Sequence, residues 1–160
     1  MDLNTKQSRL FEVAGLTPPS PPKAAPVRDT SDAIDTEAKL FAPAEKLSVR
    51  IALAIPDGYK LNDLAPVTWE IFTDGEQPIF QAAALDQCDE AAVADAHATF
   101  EIPMTGESGM GTVYVRVGYG YCGTEENALC RLATATWRVP ITIAADAAAA
   151  TLDLSFPAVP

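Results

Sequence analysis

Two long segments flanking Cys122 and Cys130, TVYVRVGYGYC and CRLATATWRVPITI, alternate in a way that a single antiparallel register sorts into two faces. With Cys122 opposite Cys130, one side pairs Tyr119 with Ala133, Val117 with Ala135, Val115 with Trp137 and Val113 with Val139. That side is apolar. The other side pairs Gly120 with Leu132, Gly118 with Thr134, Arg116 with Thr136 and Tyr114 with Arg138, which suits a solvated or partly solvated face. A slip of one residue would destroy the sorting, so the segment reads as a β-hairpin closed by Gly123 to Leu129. Directly opposed residues in a non-hydrogen-bonded pair have Cα atoms about 4.5 Å apart, at the near limit for a disulfide. A bridge at this position is allowed, and is expected to be strained and therefore reducible.

The same period of two recurs upstream. Leu47, Val49, Ile51, Leu53 and Ile55 alternate with Ser48, Arg50, Ala52 and Ala54, which predicts a strand ended by Pro56-Asp57-Gly58. A turn-rich loop, Tyr59 to Pro66, leads to a strand over Val67 to Phe72. Asp74-Gly75 then signals a hairpin into a strand over Ile79 to Ala84. The acidic, Ala-rich stretch around Cys88 is consistent with a loop or one helical turn. His97 to Met104 alternates with Ala98, Phe100, Ile102 and Met104 inward, and Thr151 to Phe156 alternates once more. About seven short strands and no convincing helix predict an all-β fold, an immunoglobulin-like antiparallel β-sandwich over 47–160, with a closed barrel as the alternative. Pro140 predicts that its strand is an edge there or carries a bulge. Ahead of the domain, residues 1–17 read as a short strand-like or amphipathic segment. Residues 18–46, with five prolines between positions 18 and 26, read as a flexible linker.

Composition narrows function by exclusion. The 160 residues are 48% apolar and carry a net charge of -11 with scattered basic residues, so neither nucleic acid nor an anionic lipid surface is an expected partner. No apolar run reaches the roughly 18 residues of a membrane span, so no membrane insertion is expected. MDLNTKQSRLFEVAGL has no basic stretch followed by an apolar region, which points to the cytoplasm, or to the periplasm for a fragment of a longer exported chain.

Chemistry concentrates on the cysteines. Three of them leave one over if the hairpin pair is oxidised, and Cys88, in Asp86-Gln87-Cys88-Asp89-Glu90, reads as a bystander whose thiolate the neighbouring carboxylates disfavour. A zinc centre would have to gather three cysteines and the lone His97 from distant places without a CxxC, so no metal or other cofactor is expected. No Ser/His/Asp constellation or phosphate loop stands out, which argues against a hydrolase or transferase. His97 reads as a surface or edge residue. Trp137 reads as core, whereas Tyr119 and Tyr121 flank Cys122 and read as a cap that shields the sulfurs. Glu125 and Glu126 in the connecting loop would raise the thiol pKa values and suit the pair to being attacked more than to attacking. The bland alternative is a reduced pair or an inert staple in a structural or protein-binding sandwich.

Gly120-Tyr121-Cys122, Ala128-Leu129-Cys130 and Trp137 to Ile141, together with Ile55 to Asn62 and Ala65-Pro66, resemble the C-terminal β-domain of NHL-repeat-containing, thioredoxin-like proteins. The resemblance covers residues 47 to 145. In that family a thioredoxin-like domain and a propeller precede a Pro-rich joint and this β-domain, so residues 1–17 resemble a closing propeller strand. More distantly, the hairpin resembles the N-terminal immunoglobulin-like domain of DsbD-type thiol:disulfide interchange proteins. The resemblance implies that Cys122 and Cys130 are a redox-active pair, that Tyr119 or Tyr121 caps it, and that the partner is a thioredoxin-like protein or domain. The implied activity is at most that of a thiol-disulfide oxidoreductase module.

Overall fold

A computed structural model describes residues 28–75, 77–125, 127–148 and 151–158. The segment expected over residues 1–17 and the Pro-rich run to Pro26 lie outside the described residues. Eleven strands are present among the described ones: β1 Ile34–Asp35, β2 Lys39–Phe41, β3 Lys46–Ala52, β4 Tyr59–Leu61, β5 Thr68–Phe72, β6 Cys88–Glu90, β7 Ala92–Ala94, β8 His97–Pro103, β9 Gly109–Gly123, β10 Cys130–Ile143 and β11 Thr151–Ser155. They form two mixed sheets. The larger runs β1-β10-β9-β5-β6, with β2 also on β10 and β4 also on β9, and the smaller runs β11-β3-β8-β7. The fold is all-β, two sheets packed face to face, as the alternation predicts.

Side chains of both sheets share one core, including Trp137, Ile71, Val115 and Ile141 from one and Ile51, Ile102 and Leu152 from the other. Trp69 stacks on Phe100 across the gap at 4.3 Å, and Phe156 meets both Tyr119 and Trp137 edge-on. β3, β8 and β11 alternate buried with exposed or partly exposed, because successive side chains point to opposite faces.

The hairpin register is the one the alternation predicts, unbroken from Cys130 opposite Cys122 to Ile143 opposite Gly109. Pro140 lies where the outer edge of β10 has no partner strand. β1 pairs in parallel up to Arg138, β2 resumes at Ile141, and between them the facing chain takes one extra residue. The Thr36 amide donates to the Arg138 carbonyl, so the even-numbered backbone groups of β10 point to this edge. The missing N–H of Pro140 therefore falls in the gap and costs no ladder bond to β9.

Several elements differ from expectation. Of the linker expected over 18–46, the part from Arg28 onward is bound to the domain. Arg28 forms ion pairs with Glu70 at 2.6 Å and Asp86 at 3.0 Å and lies over the Phe72 ring, before the chain joins β10 as β1 and β2. Phe72 and Tyr114, stacked on the outer face of the sheet, are buried, so that face is less solvated than the polar residues suggest. Asp74-Gly75 does not join two paired strands: β5 is flanked by β9 and β6 and has no edge left for the next segment. Ile79–Ala84 instead makes a single bridge from Phe80 to Met104 and a 3-10 turn at Ala82–Ala84. The stretch around Cys88 is extended, as β6 and β7, and part of the expected loop at Tyr59 is β4.

Candidate functional site

The site is built at the closed end of the hairpin. β9 and β10 bring Cys122 and Cys130 face to face, and their sulfurs are bonded at 2.05 Å with Cα atoms 3.9 Å apart. The connecting loop turns back by a hydrogen bond from the Gly123 amide to the Leu129 carbonyl and by a left-handed Asn127 at φ 63°. Gly123 is required there, because a Cβ on it would stand 2.7 Å from that of Ala128. Thr124 fastens the loop to the turn before β4, its amide and hydroxyl both donating to the Gly58 carbonyl.

The two cysteines are not equivalent. Cys130 begins β10 and is exposed, whereas Cys122 is half-buried between β10 and β4. On the β4 side the residue in register with Cys122 is Lys60, which shares its face of the sheet. An ammonium beside a thiol favours the thiolate, opposite in sign to the loop carboxylates. Of those, Glu125 is exposed and Glu126 lies outside the described residues. Lys60 was hidden in sequence because Tyr59-Lys60-Leu61 is too short for its pairing to show. Leu129 precedes Cys130 in the chain and Leu132 is two residues on along β10; they are 81% and 84% exposed.

Tyr119 and Tyr121 do not cap the pair. Both have odd-numbered positions, so the period of two turns them to the core face while Cys122 faces outward. Each is 2% exposed. Tyr119 donates its hydroxyl to the Ala54 carbonyl and Tyr121 meets Tyr59 edge-on at 5.3 Å, so both rings hold the sandwich under the site. Burial pushes the Tyr119 phenol above its ordinary pKa. Trp137 is in the core, as expected.

Cys88 is exposed and stands in register with Glu70 on β5, away from the pair. His97 opens β8, with Nδ1 2.8 Å from the Asp95 carbonyl in the preceding turn. Among the described residues no group of three or more His, Cys, Asp or Glu is arranged to hold a metal, and no helix is long and apolar enough to cross a membrane. No protein-family model matches this chain, and no curated protein matches it.

Proposed function

We propose that this is an accessory thiol-disulfide exchange module, an immunoglobulin-like sandwich in which Cys122 and Cys130 cycle between disulfide and dithiol with a thioredoxin-like partner. The supporting observation is the asymmetry of the pair: an exposed Cys130 at a strand start and a half-buried Cys122 in register with Lys60. In the reductive direction a partner thiolate attacks Sγ of Cys130. The sulfur-sulfur bond breaks and its electron pair leaves on Sγ of Cys122, where Lys60 favours the anion. The partner's second thiolate then attacks the partner's own sulfur in the mixed disulfide and releases Cys130. Two electrons reach this chain, two protons complete its thiols, and the partner becomes the disulfide. The reverse sequence oxidises the pair.

Redox titration in a Cys88→Ser background tests this. Two thiols should appear together at a potential within reach of thioredoxin, about -270 mV. The additional Cys122→Ser change, which leaves the Cys130 thiol alone, should give a mixed disulfide with oxidised thioredoxin, the Cys130 thiolate displacing one thioredoxin sulfur as thiolate. A pair that resists reduction at that potential, or never oxidises, overturns the reading.

A second reading, an inert staple in a protein-binding sandwich, has its own support in the loop. A bridge over a sequence separation of 8 stabilises by about 2.5 kcal/mol on chain-entropy grounds, whatever its chemistry. Titration separates the two, since only a staple needs no reducible range.

A further inference from the structure

Strand β10 has two outer edges in one. From Trp137 onward it is covered in parallel by β1 and then β2. From Cys130 to Thr136 no strand pairs with it among the described residues. The backbone groups on this stretch can be assigned. The Arg138 carbonyl accepts from Thr36 on the outer side, and the register with β9 is unbroken, so the N–H and C=O groups of Leu132, Thr134 and Thr136 also point outward. Among the described residues no backbone hydrogen bond reaches those of Leu132 and Thr134; at Thr136 the N–H is open, while the parallel register of β1 sets the Ile34 amide against the Thr136 carbonyl.

Edges of this kind are ordinarily blocked by proline, lysine or a bulge. The lower half of β10 has such protection at Pro140, whereas the upper half has no proline, and its one charged side chain, Arg131, lies over the Tyr59 ring. It also carries the exposed Leu132. Where the covered and open parts meet, a depression of about 510 Å³ is lined by Asp29, Asp32, Ile34, Thr134, Thr136 and Pro157. Arg116 at its floor is engaged by Glu70, the Thr136 hydroxyl and the Asp29 carbonyl. The lining thus includes two carboxylates, Asp32 and an Asp29 whose Oδ1 accepts from the Ser31 amide and hydroxyl, on a chain of net charge -11.

We propose that the Cys130–Thr136 edge of β10 is a docking site for an extended, basic peptide segment of a partner protein, added as a further strand to the larger sheet. The backbone groups supply affinity, Leu132 and the depression at β1 take alternate side chains, and Asp29 and Asp32 select for lysine or arginine. The bound segment continues the line of β1 and ends beside the exposed Cys130. None of these groups is a cysteine sulfur, so the site stands apart from disulfide exchange and holds for the staple as well.

The test is amide hydrogen exchange on the full chain with a synthetic peptide of about seven residues alternating valine with lysine. Saturating peptide should slow exchange at the Leu132, Thr134 and Thr136 amides about tenfold or more, with the disulfide intact or reduced. The same peptide N-methylated on alternate amides should give no protection. Thr134→Pro removes an outward N–H as Pro140 does naturally, and should abolish the effect while retaining the β9 ladder. Should that variant fail to fold, the N-methylated peptide on the unaltered protein decides alone. No protection overturns the proposal, as does equal protection by a glutamate version of the peptide. It is also overturned if these amides are already protected without peptide. Protection at every protein concentration would place the chain's own N-terminal residues on the edge, and protection growing with concentration would place a second copy there.

Discussion

At Ala96 the backbone takes φ 58° after Asp95 at 48°, the two-residue turn that joins β7 to β8 and favours glycine at its second position. Alanine there is held in the left-handed region while its carbonyl accepts from the Leu53 amide. Ala96→Gly relieves that conformation at some cost in unfolded-chain freedom, and should raise stability by about 0.5–1 kcal/mol in urea unfolding. Gly123→Ala should do the opposite. Its new Cβ meets a neighbouring Cβ and not a flexible chain end, so the 124–129 loop must move, at about 1–3 kcal/mol. The same denaturation experiment reads both. Side-chain direction at this scale was legible wherever a strand was long: Tyr119, Val117 and Trp137 face inward as their parity predicts. The cap expected from Tyr119 and Tyr121 came from closeness in sequence, and parity alone places those rings on the face away from Cys122.

Among the elements, β10 holds the clearest contrast. Val139→Pro removes an amide directed at β9 and should cost about 3 kcal/mol or prevent folding, whereas Pro140→Val adds an amide in the gap between β1 and β2 and should change stability by less than about 0.5 kcal/mol. Equal effects at the two positions would show that the edge assignment is wrong. Strands β3, β8, β9 and β10 were legible because each alternates over seven residues or more and one face is buried. β1, β2, β4, β6 and β7 were not. Each has two or three residues, too few for a period, and exists because a longer strand offers an edge at that point. The Asp74-Gly75 signal failed for a related reason: a turn sequence bends the chain but does not supply a neighbour.

For the molecule as a whole, the disulfide and the core respond to different conditions. Reduction should lower unfolding stability by about 2.5 kcal/mol, read as a shift of the denaturant midpoint to lower concentration. Alkaline pH acts through Tyr119. Burial holds its folded-state pKa above that of the unfolded chain, so its contribution is complete below about pH 10 and declines as pH rises toward the folded value. Stability should therefore fall above pH 10 more steeply in the native protein than in Tyr119→Phe. Taken by itself, the sequence determined the two faces of the long strands, the hairpin register and the opposition of Cys122 to Cys130, because period-two alternation is local and a one-residue slip exposes the core. Only the tertiary structure decided which cysteine is exposed, that Lys60 is in register with the other, that Arg28 ties the chain entry to Glu70 and Asp86, and that part of β10 is left open. Those facts depend on which distant segments find an edge or a face to occupy, and no local pattern encodes that.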